Sequence, residues 1–215
     1  MVESRTNIAI IGGINEVGLE CLKTILNMGE YKVKMIVNDS KILKDYQGNS
    51  KLEIIIGDFL DAKKIEETVK NTNCVINCLT QSDGSNKEIC SKGTELILAE
   101  MKKAGVDRII ACTSLGCGDS YDKISLTVKL VVWAFIKDVI KDKNKAEELI
   151  MTSGYKFTIV RPCRIMEWGY TGNYQVGYDI SEGEVSKVDV ADFIVKNAFS
   201  DEYVGKTPTI VGKKK

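Results

Sequence analysis

Short apolar runs and longer amphipathic stretches alternate along this whole chain, and few folds accommodate that rhythm. NIAII (7–11), YKVKMIV (31–37), LEIIIGD (52–58), CVINCL (74–79), DRIIACTS (107–114), YKFTIVRP (155–162) and TPTIVG (207–212) read as strands. Between them, apolar residues recur at helical spacing over 16–28, where Val17, Leu19, Leu22, Ile25 and Leu26 fall on one face. The stretches 61–70, 87–104, 125–152 and 189–199 read as helices in the same way. Strands rich in Ile and Val, each leading into a helix, predict a parallel sheet buried on both faces. The expected fold is therefore α/β, a doubly wound parallel sheet in one domain spanning 1–215. Gly105 and Gly154 stand where two of the helices should stop, and Pro162 where a strand should. Only 163–188 lacks a core pattern. It follows a strand's carboxyl end, where such sheets bind ligands, and reads as a substrate-side flap.

Charge and composition narrow the classes of function. Thirty basic and thirty acidic side chains cancel, so no net field points to nucleic acid or to an anionic membrane. The apolar patch LTVKLVVWAFIKDVI is broken by Lys129, Lys137 and Asp138, too short and too charged to span a bilayer. The polar start MVESRTN carries no leader signature, and the basic run Lys213, Lys214, Lys215 reads as a solvated tail. Seven cysteines without a C-x-x-C pair suggest reduced thiols, a cytoplasmic protein and no metal site. The sequence contains no histidine, which excludes His-based triads and imidazole general bases. No outlying apolar helix demands a partner, and a monomer is expected.

The stretch AIIGGINEVG (9–18) has the context of a dinucleotide loop, with a strand before it and a helix after it. Gly12, Gly13 and Gly18 would let the chain turn tightly and bring backbone N–H groups to a pyrophosphate. Asn15 stands where the G-x-x-G-x-x-G pattern has its middle glycine, and Asn is the side chain that best tolerates positive φ. Glu16 suits the helix dipole but repels a phosphate unless it points outward; Val17 follows it. The plain alternative is a glycine-rich turn with no ligand.

Downstream, GVDRIIACTS (105–114), EELIMTSGYKFTIVRP (147–162) and SKVDVADFIV (186–195) occur in order and at characteristic separations. Together with the glycine loop they resemble the atypical short-chain dehydrogenases/reductases, most nearly the flavin (biliverdin-IXβ) reductases and their NmrA-like relatives. The resemblance implies a Rossmann fold that binds NADP(H) at the carboxyl ends of the strands. By position, it puts the pyrophosphate on Gly12 to Gly18 and the adenine beside Asp58 and Phe59. Leu79 and Thr80 match the strand end beside the cofactor. Cys112, Thr113 and Ser114 match the strand end at the nicotinamide. Pro162, Cys163, Arg164 and Ile165 match the lining of the nicotinamide and substrate side. The reductases commonly carry an arginine where this chain has Asn38; Ser40 and Lys41 just beyond could replace it. Valine at 37 cannot hold a ribose diol as the NAD-type acid does, so NADP(H) is favoured and NAD(H) remains open.

The catalytic Tyr-x-x-x-Lys pair of the wider superfamily is broken. Lys143 matches the lysine, but Val139 stands four residues before it. Without that proton donor, carbonyl–alcohol chemistry is disfavoured, whereas a planar acceptor such as FMN, a quinone or a tetrapyrrole can take its protons from water. Ser114, Lys143 and Arg164 are the expected catalytic-side residues: Ser114 to orient a ligand, Lys143 to contact ribose hydroxyls, Arg164 to meet an anionic acceptor group. Trp168, Tyr170 and Tyr174 of the flap could cover a planar ligand. The expected function is an NAD(P)H-dependent reductase; the alternative is an NmrA-like sensor that binds the dinucleotide without turnover.

Overall fold

The computed structural model describes residues 7–14, 16–84 and 86–213; the polar start, Asn15, Ser85, Lys214 and Lys215 lie outside them. Ten strands run in chain order as β1 (Asn7–Ile11), β2 (Lys32–Val37), β3 (Leu52–Ile56), β4 (Cys74–Asn77), β5 (Arg108–Cys112), β6 (Lys156–Pro162), β7 (Arg164–Met166), β8 (Tyr174–Gly177), β9 (Glu184–Ser186) and β10 (Thr209–Gly212). The helices are α1 (Val17–Met28), α2 (Ala62–Val69), α3 (Ile89–Ala104), α4 (Leu126–Val131), α5 (Lys137–Thr152) and α6 (Lys187–Ala198).

Eight strands form one sheet in the order β3-β2-β1-β4-β5-β6-β10-β8, parallel except for β8 on β10. The first six follow the doubly wound Rossmann order, with its switch point between β1 and β4. Ile8, Ile10, Ile76, Ile110 and Ile159 are fully buried, as strands covered on both faces require. α1 packs on α6, and α3 packs on both α2 and α5, which gives the expected helical layers. A smaller apolar cluster of Leu115, Cys117, Ile124, Val132, Ile140 and Cys163 lies beyond the carboxyl ends of β5 and β6.

Two expectations are corrected. The stretch 125–152 is not one helix: α4 passes through a π-helical stretch, Val132–Ile136, before α5 begins. Ile136 leaves helical geometry at φ −129° and ψ 17°, and the extra residue of a π turn shifts the apolar stripe. The flap at 163–188 is also more ordered than its sequence suggests. β7 and β9 pair as a parallel two-stranded ladder, and β8 closes the edge of the main sheet. Strands of three or four residues carry too little alternation to stand out in a sequence.

Candidate functional site

Beyond β1 the chain turns through Gly12 (φ +81°) and Gly13 (φ +65°) into α1. A Cβ on Gly12 would lie 2.6 Å from the Leu79 backbone, and one on Gly18 would lie 2.1 Å from the Gly12 carbonyl oxygen. The end of β4 and the first turn of α1 thus press on the loop so closely that only glycine fits, the cradle a diphosphate needs. Asn15 lies outside the described residues. Glu16 leads into α1 half-buried, and Val17 is buried.

The loop is fastened by a residue the sequence reading passed over. The Asp83 carboxylate, 3% exposed, accepts the Gly13 N–H at 2.9 Å, the Ile14 N–H at 3.4 Å and the Thr80 N–H at 2.9 Å. Burial, the largest influence, pushes the Asp83 carboxyl above its ordinary range, although the three N–H donors and the Lys143 cation oppose the shift. The T-x-x-D spacing of Thr80 and Asp83 was the available local signal; nothing local ties Asp83 to the glycine loop seventy residues earlier.

A second buried network lies under the ends of β5 and β6. The Thr113 hydroxyl donates to Glu147 Oε1 at 2.6 Å. Arg161 donates to the same carboxylate through Nε at 3.1 Å and Nη2 at 2.6 Å, a bidentate pair. Glu147 is 1% exposed and Arg161 2%. Arg161 Nη1 reaches Asp119 Oδ1 at 2.6 Å and holds that carboxyl below its usual range. Lys143 Nζ donates to the Thr113 carbonyl at 2.9 Å, which points its ammonium at the β5 end. Burial, the largest influence, works against that charge, but Cys112, Cys117, Cys90 and Glu16 outweigh it and raise the titration above the ordinary lysine range. Val139 sits half-buried one turn before Lys143. The Ser114 hydroxyl, half-buried, donates to the Leu115 carbonyl at 3.1 Å.

Thr113, Ser114 and Lys143 floor a cleft of about 1600 Å³, and the Glu147–Arg161 pair lies beneath Thr113. Val128, Val132 and Ile136 form one wall. Pro162, Cys163, Arg164 and Ile165 form the opposite wall, and Trp168 and Tyr170 of the flap stand over it. The flap is tied to α6: the Ser186 hydroxyl lies 2.7 Å and 2.8 Å from the Trp168 and Gly169 carbonyls. Buried Asp189 accepts the Thr171 and Gly172 N–H groups at 2.9 and 3.0 Å. The Arg164 side chain is exposed and lies 3.3 Å from Glu184. Tyr174 does not face the cleft; its hydroxyl donates to Asp192 at 2.8 Å. Burial pushes the Cys117 and Cys163 thiols up to about 12, which leaves them poor nucleophiles at neutral pH.

The cleft therefore gathers Glu16, Thr113, Ser114, Lys143 and the 162–165 segment, while the other expected contacts lie outside it. Asn38 is exposed just past β2, and Ser40 and Lys41 open a short 3-10 turn. That turn is capped by Asp39, whose carboxylate accepts the Lys41 N–H at 2.9 Å. Asp58 accepts the Leu60 N–H at 2.7 Å. Phe59 is 1% exposed and packs in the core, so it offers a ligand its backbone rather than its ring. Leu79 and Cys112 are buried at strand ends, and Thr80 is half-buried beside Leu79.

A family model described as NAD(P)H-binding matches residues 12–201. Among solved structures, the chain is similar to the anaerobillin reductase ChuY from Escherichia coli O157:H7, at 22% identity over 98% of each chain and a TM-score of 0.83. It is similar to a short-chain dehydrogenase/reductase from Veillonella parvula in complex with NADP, at 15% identity and a TM-score of 0.82, over 96% of this chain and 94% of that one. The oxidoreductase ylbE from Lactococcus lactis matches at 19% identity and a TM-score of 0.81, over 97% of this chain and 91% of that one. At these identities the likenesses establish the fold.

Proposed function

The chain belongs to the NAD(P)H-binding family, and on that premise we propose that it is an NAD(P)H-dependent reductase of flavins or similar planar acceptors. The observation that carries this reading is the cleft itself. A polar floor of Ser114 and Lys143 lies between an apolar wall and a flap bearing Trp168 and Tyr170. The dinucleotide, when bound, supplies the hydride. The chain's residues supply the rest. Gly12, Gly13 and Gly18 admit the diphosphate, and Asp83 fixes the loop by accepting the Gly13 and Ile14 N–H groups. Lys143, anchored on the Thr113 carbonyl, offers its remaining N–H donors to ribose hydroxyls. The Ser114 hydroxyl orients the reacting ring. Arg164, held only at its edge by Glu184, meets an anionic group of the acceptor. Val139 leaves the site without the tyrosine proton donor, which favours acceptors that draw protons from water. The anaerobillin reductase of the same fold supports a tetrapyrrole among the planar acceptors. NADP(H) is proposed ahead of NAD(H), supported by the NADP complex of the Veillonella protein and by Ser40 and Lys41 beyond β2. An Asn38→Arg variant should then tighten NADPH and leave NADH unchanged.

Val139 also favours a second reading, a dinucleotide sensor without turnover. Absorbance at the reduced-nicotinamide band, with NADPH and FMN and again with NADH, separates the two. FMN-dependent loss of signal that saturates in both components supports the reductase. Enhanced cofactor fluorescence without turnover supports the sensor, and the absence of both rejects each.

A further inference from the structure

Residues 126–136 read LTVKLVVWAFI, with Thr127 and Lys129 the only polar side chains. A helix apolar on all sides is ordinarily buried. Here Val132 alone of the eleven is buried. Leu126 is 85% exposed, Phe135 81% and Trp133 68%, and Leu130 and Val131 are exposed as well. The inner side of this segment, Val128, Val132 and Ile136, is the apolar wall of the cleft. Across the mouth, Trp168 and Tyr170 of the flap are exposed too. The cleft thus opens through a rim of large apolar and amphipathic side chains on both lips, the residue types that settle at a lipid–water boundary.

Along the segment itself the charge is of one sign, whereas across the mouth Glu182 accepts the Ser125 hydroxyl at 2.8 Å and Lys123 pairs with Asp119 at 3.3 Å. Lys123, Lys129 and Lys137 border the segment, and no Asp or Glu occurs from 123 to 137; Asp122 and Asp138 lie just outside. We propose that this rim docks on an anionic lipid bilayer, with Leu126, Leu130, Trp133 and Phe135 in the boundary layer and the lysines against lipid phosphates. The cleft mouth then faces the lipid, where apolar acceptors reside. A second copy of the chain is the poorer occupant. Two-fold pairing through this face gathers Lys123, Lys129 and Lys137 of both copies at one interface, with no acid inside the segment to compensate. A phosphate surface satisfies the apolar side chains and the lysines together. Docking is peripheral, since no helix among the described residues is long and apolar enough to cross a membrane. The zero net charge of the chain concealed this local asymmetry.

The test uses the full chain and phosphatidylcholine vesicles with and without phosphatidylglycerol. The protein should co-float with the phosphatidylglycerol vesicles and detach as salt is raised. In a Trp168→Phe background Trp133 is the sole tryptophan, and its emission should shift to the blue on binding. The double variant Trp133→Ser/Phe135→Ser should bind vesicles at least about tenfold more weakly. Lys129→Glu/Lys137→Glu should abolish the preference for phosphatidylglycerol. Absence of flotation overturns the proposal, whether the protein is then a monomer or a dimer that Phe135→Ser dissociates. Dinucleotide fluorescence, read on the same preparations, is independent of the rim. Loss of cofactor binding in the parent protein would count against the reductase alone.

Discussion

The floor of the cleft and its outer wall distribute polarity in opposite ways. At and beneath the floor, Thr113 and the supporting residues Arg161, Glu147 and Asp83 are each 5% exposed or less, and every one has hydrogen-bond partners within the chain. On the wall, Leu126 and Phe135 are more than 80% exposed, and only buried Val132, with half-buried Val128 and Ile136, packs the segment on the small cluster behind it. The floor has settled its polar groups internally, so its shape exists before any ligand arrives. The wall has left apolar surface uncovered, so its final contacts come from outside. A rigid floor suits positioning of a dinucleotide; an uncovered wall suits a variable apolar partner.

The comparison breaks most readily at Glu147. Its removal leaves the Arg161 guanidinium buried, with Asp119 as its remaining charged partner. Glu147→Ala should cost about 3–5 kcal/mol in urea unfolding, because Asp119 alone leaves Nε and Nη2 of the buried guanidinium without an acceptor. Replacing both residues, Glu147→Leu with Arg161→Met, should recover most of that loss. A single-variant loss below about 1 kcal/mol would mean water already reaches the pair, and the floor would be no more settled than the wall.

A smaller effect tests whether Asp83 couples floor to ligand. Its carboxyl titrates above the ordinary 3.8 because burial outweighs the N–H donors of Gly13, Thr80 and Ile14 and the Lys143 cation. A carboxyl raised by folding stabilises the fold fully below its ordinary value and loses that contribution as pH rises through the raised one. Asp119, lowered by Arg161, behaves oppositely, and its contribution is lost as pH falls. A diphosphate placed on the glycine loop adds negative charge near Asp83 and so favours its protonated form. NADH affinity should therefore weaken by roughly threefold to tenfold as pH rises from the ordinary carboxylate value through the raised one. In Asp83→Asn the dependence should vanish. NADH is the proper probe because its diphosphate does not titrate in that window. A dependence that survives the substitution would assign it to another group, and the loop would then be independent of Asp83.

Much of the floor's scaffold was legible in the sequence, and its chemistry was legible only in part. β1, β4 and β5 announced themselves as short Ile- and Val-rich runs, and the glycines after β1 marked the switch point. Ser114 and Lys143 were placed by spacing and resemblance, and both reach the cleft. The Glu147–Arg161 pair was not visible, because Arg161 sits in a strand that reads as plain core and Glu147 in a helix rich in charge. Asp83 was missed for the same reason: its partners are loop N–H groups distant in sequence, and backbone donors leave no residue signature. Tyr174 was misread in the other direction, since an aromatic in a flap gives no hint that Asp192 will turn it away. The wall deceived most, because an apolar run with helical spacing predicts burial, yet Val132 is the only buried residue of 126–136.

The smallest predicted effect is the most discriminating for the wall. Truncating two large aromatic side chains in a packed core costs about 3–5 kcal/mol each. Trp133 and Phe135 make few contacts to lose at 68% and 81% exposure, so Trp133→Ser/Phe135→Ser should change unfolding free energy by no more than about 0.5 kcal/mol. The measurement is urea unfolding of the isolated protein in the absence of lipid. A loss of several kcal/mol would show that 126–136 folds down against the body in solution and closes the cleft as a lid. Wall and floor would then be built alike, each satisfied within the chain, and no outside surface would be needed to cover the rim. A near-zero change keeps the inversion intact, because side chains that contribute nothing to the fold's own stability remain free to bind something else.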